Sequence, residues 1–122
     1  MRTLVALVLS LFVALGAHAQ RTATTFVFVK IQDKVLPIER GSKYEAPLNA
    51  ALRAAKLGEV TGGGTLMNKD KSIAWVGVDV ELSDLEKGLP FLLAKLRELG
   101  APRGSTVEYT VQGRKVEQPI HQ

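Results

Sequence analysis

The sequence predicts a two-layer α+β domain: a four-stranded antiparallel sheet with two helices on one face, in the order strand, helix, strand, strand, helix, strand. Three observations predict it. Residues 73–81 alternate, with Ala74, Val76, Val78 and Val80 on one side and Ile73, Trp75, Gly77, Asp79 and Glu81 on the other. A period of two with one aliphatic side marks a strand facing a core. Leu85, Leu89, Leu92, Leu96 and Leu99 step by four, three, four and three, a single helical stripe. Finally, two helical stretches of similar length separate the strands, and right-handed crossovers put both on the same side of the sheet.

Each element has its own signals. Phe26-Val27-Phe28-Val29-Lys30-Ile31 is dense in aromatic and β-branched residues and reads as the first strand. Asp33-Lys34 reads as a turn and residues 35–39 as a short return strand, which Pro37 confines to an edge. A helix is expected over 44–56, with Ser42 as cap, Pro47 in the first turn and Gly58 as the stop. Residues 59–67 are extended, and Asn68-Lys69-Asp70-Lys71 is a polar turn into the strand at 73–81.

Ser83-Asp84-Leu85-Glu86 matches a capping box, and Gly100 and Pro102 end the helix that follows. Pro90 inside it is expected to kink the helix or split off its first turn. Residues 106–111 form another strand, Gly113-Arg114 a turn, and 115–120 a short last strand. The order is that of the ferredoxin-like split β-α-β sandwich, with short extra strands at the edges.

The first nineteen residues stand apart. Met1-Arg2-Thr3 precedes an apolar run from Leu4 to Leu15 interrupted only by Ser10, and Gly16-Ala17-His18-Ala19 closes it. A charged start, a short apolar core and a small-x-small ending are the layout of a secretory signal peptide. The run is short for a bilayer span, which takes about 20 apolar residues. The expected division is a removed leader, 1–19, and a single α+β domain, 20–122, with frayed termini. The expected location is the bacterial periplasm or the medium, with the membrane met only during export.

Composition narrows the function. The formal charge of +4 falls to +3 once Arg2 leaves with the leader, and the basic residues are scattered. A nucleic-acid partner would call for a basic stripe, so none is expected. The chain has no cysteine, which excludes disulfides, thiol catalysis and cysteine metal sites. No cofactor and no metal are expected. His121, second from the end, is the only histidine past the leader, and no serine has a nucleophile-elbow context. No catalytic set emerges. Glu59, Asp79 and Glu81 read as solvated acids of the outer face; the alternative is that Asp79 and Glu81, two residues apart on one strand face, serve acid–base or cation chemistry.

The unusual stretch is Gly58-Glu59-Val60-Thr61-Gly62-Gly63-Gly64-Thr65. It lacks the Gly-Lys-Ser/Thr ending of a P-loop and the following helix of a dinucleotide fingerprint. A four-residue hairpin loop at 68–71 would pair Met67 with Ser72, Gly64 with Trp75 and Gly62 with Gly77. Trp75 would then cover bare glycine backbone. The run reads as a Trp-covered bulge, a backbone slot for a ligand or peptide, or an anion nest.

The first strand is also apolar on both sides, with Phe26 and Phe28 opposite Val27, Val29 and Ile31. Helices cover only one side, so the other needs a cover of its own. A sheet-face homodimer, the termini and a partner are the three covers open to it.

The runs Leu57-Gly58-Glu59-Val60-Thr61-Gly62-Gly63-Gly64-Thr65 and Leu99-Gly100-Ala101-Pro102 give the chain a resemblance to small bacterial ferredoxin-like α+β proteins of unassigned function. The resemblance spans about residues 26–111 and implies a fold but no activity. The expected function is that of a small exported, non-catalytic binding protein, of an inhibitor or immunity type, acting on a protein partner or itself through its open sheet face. The alternative is a small-molecule or anion sensor at the glycine slot. The residues expected to carry either role are Phe26, Phe28, Gly62, Gly63, Gly64, Thr65, Trp75 and Asp79.

Overall fold

A computed structural model describes residues 23–122. The expected leader, 1–19, lies outside the described residues. The elements are β1 (Thr25–Ile31), α1 (Pro37–Arg40), a π-helical turn (Gly41–Glu45), α2 (Ala46–Ala54), β2 (Gly58–Met67), β3 (Ile73–Leu82), α3 (Leu85–Glu98), β4 (Thr106–Val111) and β5 (Arg114–Pro119). Every strand pairing is antiparallel, and the sheet order is β2-β3-β1-β4-β5.

This corrects the four-stranded ferredoxin-like expectation. The sheet has five strands, and β5 pairs with β4 along its whole length, from Val111 opposite Arg114 to Thr106 opposite Pro119. The hairpin joining them turns at Gln112 and Gly113, both at positive φ (50° and 78°). A two-residue turn of that hand matches the twist of the strands it joins, so β5 is a full member of the sheet rather than an edge scrap. Ile120, just after it, is fully buried, and its N–H donates to the Ser105 carbonyl.

The expected return strand at 35–39 is also absent. Pro37 opens a helix, where its fixed φ is already helical and its missing N–H costs nothing. α1, the π turn and α2 run on without a break, because Arg40, Gly41, Glu45 and Ala46 all keep right-handed helical backbone. The wide turn falls just before Pro47. There it gives room to a ring that would otherwise crowd the carbonyl four residues back. Ser42 therefore caps nothing, and its hydroxyl donates to the Glu39 carbonyl. At the far end Lys56, with φ 58°, takes the left-handed stop position expected of Gly58. α3 is capped by Asp84, which accepts from the Lys87 N–H at 3.0 Å, one residue later than the Ser83 box implies.

One side of the sheet meets the helices. Val27, Val29 and Ile31 of β1, Val76, Val78, Val80 and Leu82 of β3, and Val107 of β4 are buried there. Tyr44, Leu48 and Leu52 come down on them from the first helical stretch, and Leu92, Leu93 and Leu96 from α3. Each fully buried aliphatic side chain contributes about 2 kcal/mol. Among the described residues, no helix lies over the other side of the sheet. No described helix is long and apolar enough to cross a membrane.

Candidate functional site

Alternation along β1 and β3 fixes what the open face carries. Phe26, Phe28 and Lys30 sit opposite Glu81, Asp79 and Gly77. From β2, Gly62 lies opposite Asp79, Gly64 opposite Gly77 and Leu66 opposite Trp75. Glu108 of β4 flanks Phe28 on its other side and pairs in register with Glu117 of β5.

The Phe28 ring lies over Gly77, where a Cβ would come within 2.8 Å of it. Trp75 meets Phe28 edge to face, with centroids 5.9 Å apart and planes at 75°. Such a pair adds about 1 kcal/mol beyond the area it buries. Lys30 Nζ stands 5.0 Å from the Trp75 ring centroid, so this ring already holds one cation. Between these groups is a notch of about 270 Å³, floored by Gly64 and Gly77 and walled by Phe28, Trp75, Leu66 and Asp79. A second depression of about 350 Å³ lies beyond Phe28, bounded by Phe26, Glu108, Thr110 and Lys115.

The register differs from the expected one by two residues. Trp75 faces Leu66 rather than Gly64, and nothing lies within 4 Å of where a Gly64 Cβ would be. The loop supplies one residue of the difference, and a register shift between Leu66 and Met67 supplies the other. The loop runs from Asn68 to Ser72, with Met67 paired to Ile73 and the Asn68 N–H donating to the Ser72 carbonyl. Lys71 adopts φ 71°, and Asp70 Oδ1 accepts from both the N–H and the hydroxyl of Ser72. The aromatic cover of a glycine therefore exists, but the cover is Phe28 and the glycine is Gly77.

Of the residues expected to form the site, Phe28, Gly63, Gly64, Thr65, Trp75 and Asp79 line the notch, and Gly62 lies against Asp79. Phe26, 48% exposed, stands apart beside the second depression. The Cβ direction of Gly63 and the hydroxyl of Thr65 face the other way, toward the helices. A Gly63 Cβ would fall on the Glu45 carboxylate, and Thr65 Oγ1 accepts from Arg40 Nη1 at 2.8 Å. Arg40 Nε also donates to Glu45 at 2.6 Å, closing a half-buried polar network against β2. Beside it a depression of about 440 Å³ is lined by Gly41, Glu45, Ala46, Asn49, Val60 and Gly62. Sequence reasoning missed Lys30, Leu66 and Gly77 as site residues. Lys30 was within reach of it, two positions after Phe28 on the same side of a strand.

Charge is unevenly placed. The open face carries Glu59, Asp79, Glu81, Glu108 and Glu117 against Lys30 and Lys115, while the chain as a whole is basic. Glu59 pairs with Arg53, Glu81 accepts from Thr24 and Glu108 lies 3.7 Å from Lys115. Asp79 has no ion pair among the described residues. Glu59, Asp79 and Glu81 do not converge, and no group of three metal-ligating side chains is present among the described residues. The amides of Gly62–Gly64 belong to an extended strand, whose N–H groups point alternately to opposite edges. They do not converge as an anion nest does.

Two further polar groups lie away from this face. Tyr44, fully buried by the π turn, donates to Asp33 Oδ2 at 2.6 Å, and Lys43 donates to the same oxygen at 2.9 Å. Partial burial pushes the Asp33 carboxyl up, but the hydrogen bonds from Tyr44 and Lys43 outweigh it and hold the group below its ordinary value. Burial, reinforced by Asp33, pushes Tyr44 up to about 12. This cluster clamps the β1–α1 loop to the helix. His121, expected in a frayed tail, is fixed: its Nε2 donates to the Ala101 carbonyl at 2.6 Å, and Arg97 holds the Ile120 carbonyl at 2.8 Å.

No family model, curated protein or solved structure matches the chain.

Proposed function

We propose that this chain is a non-catalytic binding protein whose open sheet face holds a cationic group of its partner, an amine or guanidinium, in the notch at Phe28, Trp75 and Asp79. One observation carries the reading. A carboxylate without an ion pair among the described residues and two aromatic rings converge over a floor of bare glycine backbone. An organic cation gains from both wall types, since the ring faces are negative and the carboxylate is charged. An anion would meet Asp79 and four neighbouring glutamates. A face-to-face second copy would set that acidic surface against itself, which disfavours the symmetric dimer. The leader-like layout of residues 1–19 supports a place of action outside the cytoplasm.

Trp75 is the only tryptophan, so its fluorescence reports on the notch directly. Titration with arginine amide should change its emission in a salt-sensitive way. Asp79→Asn should weaken the response about tenfold, the loss of one charge-assisted contact. Emission that ignores arginine amide, or that responds equally in the Asp79→Asn protein, overturns the reading.

A further inference from the structure

We infer that the outer edge of β2 is a docking strand, which accepts an extended basic segment of another protein as a sixth strand of the sheet. The two edges of the sheet are unlike each other. β5 carries Arg114, Lys115, Glu117 and Pro119, the charges and proline that keep a sheet edge from pairing. β2 has no charged residue from Val60 to Met67, and Gly63, Gly64, Leu66 and Met67 are exposed. The Asn49 amide oxygen accepts from the Val60 N–H and closes off that end. From Gly62 to Leu66, no backbone group among the described residues bonds to anything but β3. That stretch of bare edge is long enough for a short strand.

Depressions on both faces make the edge more than an unprotected one. An added strand sends successive side chains to opposite faces. Beside β2, one face offers the notch of about 270 Å³ with Asp79, and the other offers the depression of about 440 Å³ beside Ala46 and Val60. Strand addition draws affinity from main-chain hydrogen bonds and selectivity from such alternating pockets. The glycines serve both ends, because Gly62 and Gly64 raise no side chain between the edge and the notch. Residues on the notch side of the added strand therefore reach Asp79, with Glu59 and Glu81 on the same face, and are basic. Residues on the helix side meet a Glu45 already neutralised by Arg40 and are apolar. The basic preference rests on the notch reading above; the backbone docking does not.

The test uses a short synthetic peptide alternating valine with lysine. It should slow amide hydrogen exchange at Gly62–Leu66 and shift Trp75 emission. The same peptide N-methylated on alternate backbone nitrogens should bind at least about tenfold more weakly. Gly64→Lys, whose added atoms enter open space, should keep the fold by circular dichroism and lose the peptide. Equal binding of the N-methylated peptide overturns strand addition and leaves the notch reading standing. Slowed exchange at 62–66 with Trp75 indifferent to arginine amide upholds the docking edge and removes the notch. Equal binding of a valine–glutamate peptide overturns the basic partner. A dimer in sedimentation with 62–66 already protected overturns the proposal in favour of a second copy.

Discussion

The Phe28 ring occupies the space that a side chain at Gly77 would need. Its Cε1 and Cζ stand 2.8 Å from the ideal Cβ position, and Lys30, two residues on from Phe28, pairs with Gly77 across the β1–β3 ladder. Gly77→Ala should therefore lift the ring off the sheet and loosen its edge contact with Trp75. The expected cost is about 1 kcal/mol, because a ring moves more readily than backbone. Trp75 emission should move to the red, and urea unfolding followed by that emission reports both effects.

Neighbouring glycines of β2 should behave oppositely. A Gly63 Cβ meets the Glu45 carboxylate and lies 2.9 Å from the Gly77 carbonyl, whereas a Gly64 Cβ meets nothing. Gly63→Ala should destabilise by about 2 kcal/mol. Gly64→Ala should stabilise by about 0.5 kcal/mol, since it only restricts the unfolded chain and favours the strand. Denaturation midpoints of the two variants, compared with the parent, give the contrast directly.

The Arg40–Glu45–Thr65 network should show strong coupling. Arg40→Met leaves a half-buried carboxylate beside Gly63 without its cation, at a cost of about 2 kcal/mol. Adding Glu45→Gln should restore part of it. A double-mutant cycle on unfolding free energies measures the coupling, and additivity of the two changes would contradict it.

Asp33 and Tyr44 set opposite pH limits. Asp33 titrates below its ordinary 3.8 in the fold, so its contribution is present above that value and is lost as pH falls through the lowered one. Tyr44 is raised from 10.0 to about 12, so its contribution is complete below pH 10 and disappears as pH rises toward 12. Asp33→Asn should flatten the acid limb of a stability–pH curve. With Tyr109→Phe leaving Tyr44 as the sole tyrosine, tyrosinate absorbance should appear near pH 12.

The carboxyl terminus should prove structural. Ile120 is fully buried and its carbonyl is held by Arg97. Ile120→Ala should cost about 3 kcal/mol, a loss that calorimetry would read as a lowered Tm.

Some of this is legible in the residues and some is not, for definite reasons. The buried faces of β3 and α3 follow from side-chain period alone, which is why Val76 and Leu96 are placed correctly from their spacing, whereas β1 is apolar on both sides and its period does not decide. Pro37 misleads because proline suits both a strand edge and the first turn of a helix, and the sequence there has no strong period to decide. The β2–β3 register at Trp75 depends on Lys71 taking a left-handed conformation with no glycine to announce it, and on an irregularity between Leu66 and Met67. An error of two residues keeps every side chain on its correct face but changes every partner. The open face is thus readable as a set of residues, while the notch, built from cross-strand neighbours, is not.

The contrast between the two sheet edges limits what assemblies the protein can enter. Growth of a sheet from subunit to subunit needs two receptive borders on each, one to give and one to take. Here the border formed by Arg114, Lys115, Glu117 and Pro119 carries the charges and proline that disfavour pairing, which leaves the β2 border as the receptive one. If docking on Gly62–Leu66 is the mode of association, edge-to-edge stacking of whole sheets stops after one addition.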